Sequence, residues 1–156
     1  MRLVCLLALL SVASPTPRVR STNPVIASAL AEADSRSETF RNMVRAIEGT
    51  DGIVYVEKGT CRRGVHACLS LSIVSAGGFR LLRILVDGIG SALELMATIG
   101  HELQHALEVL GEPSVTTMAA AFNFYQRVAP TTRPAFETPA AIKAGIAVFD
   151  ELSRSK

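Results

Sequence analysis

The stretch Ser91–Gly111, SALELMATIGHELQHALEVLG, decides how the rest of the chain is read. Ser91 and Glu94 make a capping box, Gly111 stands where a helix would stop, and Pro113 bars its resumption. The spacing predicts one long helix carrying His101, Glu102 and His105 in the pattern H-E-x-x-H. At about 100° per residue the two histidines differ by about 40° and about 6 Å of rise, so both imidazoles can reach one metal ion. Glu102 lies about 100° round from His101, on the flank of that site, where a carboxylate meets a water on the metal rather than the metal itself. Leu93, Ala97, Leu103, Leu107 and Leu110 are left for packing, and Thr98 and Gly100 for close packing near the metal.

Upstream of the helix, Ile53–Glu57, Ala67–Val74 and Phe79–Asp87 are short β-rich runs separated by glycine-containing turns. A small antiparallel sheet of three strands is the economical reading. Leu69, Leu71 and Ile73 alternate with Ser70 and Ser72, which gives the middle strand one buried and one wet face. Before the strands, Phe40, Met43, Val44 and Ile47 recur at helical spacing and Gly49 supplies a stop, predicting a helix over 36–48. The fold class is therefore α+β, with further helices after the central one.

At the N-terminus, Arg2 precedes an apolar run from Leu3 to Ala13, with small residues at Ser11 and Ala13 suited to signal peptidase. Residues 1–13 read as a secretory signal peptide, the run being shorter than the roughly 20 residues that span a bilayer. Cleavage leaves no membrane segment and removes Cys5. Cys61 and Cys68 remain, and an even pair in an oxidising compartment, secreted or periplasmic, predicts one disulfide across the first strand connection. Residues 14–33 carry Pro, Ser, Thr and Arg without clear periodicity and read as a flexible leader, which leaves 34–156 as one domain.

Composition agrees with a single core: 156 residues, 49% of them hydrophobic, leave little room for two domains. A net charge of +2, scattered basic residues and 5% aromatics lack both the electrostatic footprint and the stacking platform of a nucleic-acid binder.

On the H-E-x-x-H helix and its setting, the chain resembles the zincin metallopeptidases, in which the histidines are zinc ligands and the glutamate the general base. The resemblance implies Zn2+ at His101 and His105, with Glu102 taking a proton from the water that attacks an amide. It also implies that the strand leading into the motif helix, residues 80–87, is an edge along which peptide or protein substrate extends. The chain is similar, too, to short signal-bearing bacterial proteins of unassigned function that share a GHELQHA helix and a later FET-x-AA stretch.

A catalytic zinc site takes three protein ligands and keeps a fourth position for water. The metzincin continuation would need Gly at 108 and His at 111, where this chain has Glu108 and Gly111. His66 reads as a surface loop residue. Glu108 shares a face with His105 and belongs either beside the ligands or in solvent, and Glu112, Asp150 and Glu151 read as surface acids. Glu137, 32 positions after His105, fits the gluzincin subclass, in which a glutamate on a later helix is the third ligand. Thr138 and Pro139 leave a second reading open, in which Glu137 is a first-turn acid favoured by the helix dipole. Tyr125, Arg127 and Arg133 are the candidate donors to a transition-state oxyanion, with Tyr125 preferred. The expected activity is that of a secreted zinc metallopeptidase; the alternative is a non-catalytic extracytoplasmic module that keeps zinc for stability.

Overall fold

Helix α3 (Ala92–Leu110) begins where the capping box predicts, with Ser91 and Glu94 each bonding the other's backbone N–H. Its far end is closed less by Gly111, which keeps right-handed helical torsions, than by a cation. The Arg80 guanidinium, 4% exposed, donates to the carbonyls of Val109, Leu110, Glu112 and Val115 and pairs with both oxygens of Asp51. Last-turn carbonyls that have no partner within a helix thus find one in a strand residue. The computed structural model describes residues 16–62, 64–129 and 136–154, so residues 1–13, read above as a signal peptide, and Arg133 lie outside the described residues.

The sheet has four strands, β1 (Val19–Arg20), β2 (Gly52–Lys58), β3 (Ala67–Ala76) and β4 (Phe79–Val86), in the order β1-β2-β4-β3. The three expected strands are all present, but the sheet is mixed rather than antiparallel. β3 does not lie beside β2 but one strand position away, at the outside, and β4 returns between β2 and β3. That return is a two-residue hairpin through Gly77 and Gly78, both at positive φ (59° and 81°), which glycine adopts without a Cβ clash. β4 pairs parallel with β2, setting Val54 against Leu82 and Val56 against Ile84, and antiparallel with β3, setting Leu69 against Ile84. Residues 80–87 are therefore interior, and the free edge next to the motif helix belongs to β3. The placement by resemblance fails because sequential order does not decide spatial order once a connection steps over a neighbour.

From residue 16 on, the segment read as a flexible leader is ordered. Residues Val19–Arg20 form the far edge of the sheet, parallel to β2, and α1 (Pro24–Arg36) follows with Asn23 as N-cap and Pro24 in its first turn. Its buried side chains, Ile26, Ala29, Leu30 and Ala33, fall at one-face spacing and join the same core as Phe40, Met43 and Ile47 of α2 (Glu38–Glu48). The α2 helix starts two residues later than expected, behind the Ser37 cap. Two further helices follow, α4 (Met118–Val128) and the longer α5 (Pro139–Arg154). α5 lies against α3 at backbone distance because of two glycines: a Cβ on Gly100 would sit 2.9 Å from Val148 Cγ2, and one on Gly145 would sit 3.1 Å from His101 Cβ. A disulfide joins Cys61 and Cys68, as expected. Among the described residues no helix is long and apolar enough to cross a membrane.

Candidate metal centre

Three donors converge where α3, the start of α5 and the β3 edge meet. One ligand atom from each of His101, His105 and Glu137 lies within 4.8 Å of the others, and among the described residues this is the group of such side chains that could hold a metal ion. His101 Nε2 is 3.3 Å from Glu137 Oε2. Tetrahedral sites with bonds of about 2.0–2.2 Å have ligand edges of about 3.3–3.6 Å, so one edge already has that length and the longest separation must close by about an ångström. Two imidazoles and a carboxylate are also the right chemistry for a borderline-soft dication with an open fourth position. The residues fit the group.

Glu137 reaches this place from an unexpected position. It is not inside α5 but one residue before its cap: Thr138 Oγ1 accepts from Ala141 N–H at 3.1 Å, and the Thr138 carbonyl takes the next bond of the helix, from Ile142. Pro139 occupies the first helical position, where its missing N–H costs nothing. The first-turn reading of Glu137 does not hold, since the first turn of α5 carries no acid; Glu137 stands ahead of the Thr138 cap and faces His101.

His105 is the most tightly held of the three. Its Nδ1 is 2.9 Å from Glu108 Oε2, and Glu108 Oε1 accepts from the Thr138 hydroxyl at 2.5 Å. A carboxylate on Nδ1 takes the N–H there and leaves Nε2 with the lone pair a metal needs. Burial lowers the pKa of His105, but the hydrogen bond and charge of Glu108, with Glu102 and Glu137 nearby, outweigh it and the net shift is upward. His101, with less help, is shifted down by burial first and by the neighbouring His105 second. The two rings stand edge to face with centroids 4.9 Å apart.

Glu102 lies beside the triad, 6% exposed. Its Oε2 accepts from Leu69 N–H of the edge strand at 2.6 Å, while Oε1 is 4.0 Å from His101 Nε2. Burial is the main cause that pushes its carboxyl up to about 7, where a group exchanges protons readily near neutral pH. The Leu69 N–H points away from β4, and by the alternation of antiparallel pairing the backbone of Ala67 faces the same way.

Tyr125 does not supply the expected oxyanion donor. It is 2% exposed and its hydroxyl donates to the His105 carbonyl at 2.9 Å, so burial and that bond, rather than a substrate, engage its proton. Its ring stands edge-on to His105 and stacks on Phe136, centroids 5.4 Å apart. Arg127 is exposed and bonds the Asn123 carbonyl of its own helix. His66 pairs with Asp87 at 2.8 Å and stays outside the triad. Thr138 ahead of Pro139 is legible in the sequence as a cap, whereas the bond from its hydroxyl to Glu108 has no signal there, because it joins two helices 30 residues apart.

Two clefts meet at Glu102 and Glu137. One, of about 480 Å3, runs between the start of β3 and α5 and is walled by Ile142, Ile146 and Phe149. The other, of about 340 Å3, runs beneath α4 and the disulfide loop and is walled by Leu69, Leu71, Phe122 and Phe136. The donors therefore lie at the middle of an open groove rather than in a closed pore. The comparisons add no relative: no family model, no curated protein and no solved structure matches this chain.

Proposed function

We propose that the protein is a zinc-dependent peptidase that works outside the cytoplasm. The observation that carries the reading is the convergence of His101, His105 and Glu137 with a buried carboxylate, Glu102, that is no member of the triad yet borders it. Held there, zinc supplies a water that ionises near neutral pH and a Lewis acid for a carbonyl. Glu102 accepts the proton of the attacking water through Oε1, its other oxygen being anchored by Leu69. The same proton passes to the amine nitrogen as the C–N bond breaks, giving a carboxylic acid and an amine, and transfer of the acid's proton to the amine leaves a carboxylate and an ammonium at neutral pH. Substrate lies extended along the free edge of β3, where Ala67 and the carbonyl of Leu69 offer backbone groups, the Leu69 N–H being held by Glu102, and both clefts receive side chains. The disulfide supports an oxidising compartment, secreted or periplasmic.

A second reading, a zinc-stabilised binding module, draws on the bond from Leu69 to Glu102, which would suit a carboxylate kept for structure. The substitution Glu102→Gln separates the two. For a peptidase, the zinc-loaded variant keeps its metal and loses about 10²–10⁴-fold in hydrolysis of an unfolded protein substrate. If the zinc-loaded wild type cleaves no peptide bond and Glu102→Gln changes only stability, the module reading replaces the peptidase.

A further inference from the structure

We propose that Thr138 is a positioning residue that couples the metal ligand on α3 to the ligand before α5, so that His105 and Glu137 are set in place together. The inference rests on the metal reading above and concerns how this chain builds the site. Thr138 is 5% exposed and its hydroxyl does two things at once. It accepts from Ala141 N–H, which fixes the start of α5, and it donates to Glu108 Oε1, whose second oxygen holds His105 Nδ1. The residue on its N-terminal side is Glu137.

A second anchor closes the circuit. Phe136, on the other side of Glu137, stacks on Tyr125, and the Tyr125 hydroxyl holds the His105 carbonyl. Glu137 thus stands between two fixed neighbours, each tied to the same turn of α3: His105 to Glu108 to Thr138 on one side, His105 to Tyr125 to Phe136 on the other. A ligand in an extended segment outside any helix would otherwise have free backbone torsions, and a metal site with free ligands binds weakly because ordering them costs conformational entropy. The hydroxyl, rather than the carbon frame, carries the link, so Ser can replace Thr and Ala cannot.

The test measures zinc affinity by chelator competition and thermal unfolding of the metal-free forms, for wild type, Thr138→Ala, Thr138→Ser, Glu108→Ala and the Thr138→Ala/Glu108→Ala pair. Thr138→Ala is expected to weaken zinc binding by about 10–100-fold, as loss of an outer support does, while the metal-free protein stays folded. Thr138→Ser is expected to restore affinity to within about 3-fold, and the pair to bind within about 3-fold of Glu108→Ala alone, since both changes cut one chain of bonds. A folded Thr138→Ala with wild-type affinity overturns the coupling, as does a pair whose losses simply multiply. A wild type that takes up no zinc at His101, His105 and Glu137 overturns the metal reading and the coupling with it, whereas a wild type that binds and a Thr138→Ala that binds equally well overturns the coupling alone.

Discussion

Tyr125 keeps its hydroxyl inside the fold. A tyrosine one helix away from two candidate ligands is a natural oxyanion donor on chemistry alone, but the direction of its O–H is a three-dimensional fact, and it points to the His105 carbonyl. Tyr125→Phe is accordingly expected to cost about 1 kcal/mol in unfolding free energy, the worth of one neutral hydrogen bond, and to change peptide hydrolysis by only a few-fold. Steady-state rates with matched denaturant curves check this; a rate loss of about 10²–10³-fold with unchanged stability would return Tyr125 to the role of oxyanion donor. The grouping of the two histidines and Glu102 was legible because H-E-x-x-H packs all three into about one helical turn, where spacing alone determines direction. Glu137 was legible as a residue but not as a geometry, since its position before the cap depends on Thr138 and Phe136 finding partners on other helices.

At the scale of elements, helix α3 was readable from its own caps, and α2 from its apolar spacing, whereas α1 was not. The Asn23–Pro24 start was present, but a buried face made of Ile26 and Leu30 with two alanines is a faint periodicity, and small side chains gain their burial only from neighbours. Strand order was illegible for a related reason: nothing local in β4 records that β2 lies on its other side. Glu151 is a further example, for it is not an ordinary surface acid at the end of α5. It accepts from the Ser37 hydroxyl, from the Thr39 hydroxyl and from Thr39 N–H, and so caps α2 from another helix. Burial pushes its pKa up, yet the hydrogen bonds from Ser37 and Thr39 outweigh this and the net shift is down from 4.5. A folded pKa below the unfolded one means stabilisation that is complete above about pH 4.5 and is lost as pH falls through the folded value. Glu151→Gln is expected to lower unfolding free energy by about 1–2 kcal/mol near neutral pH, with the gap closing in acid. Denaturant curves at neutral pH and near pH 3 check the sign, and a gap that persists in acid contradicts it.

Across the whole molecule, one core joins every helix to the sheet, and the groove crosses its surface where α3, α5 and β3 meet. The sheet edge, the motif helix and the α5 start have to be assembled before the three donors come together, so the site is a product of the complete fold. Metal that binds only this folded arrangement stabilises it, by about 2.7 kcal/mol at a free concentration 100 times the dissociation constant. The most direct measurement is therefore zinc titration of metal-free wild type and Glu137→Ala against a competing chelator. Wild type is expected to bind one ion per chain, and Glu137→Ala to bind more weakly by more than about 100-fold, a larger loss than removal of an outer support gives. Wild type that takes up no zinc, or Glu137→Ala that binds as tightly as wild type, would contradict the three-ligand centre on which the proposed activity stands.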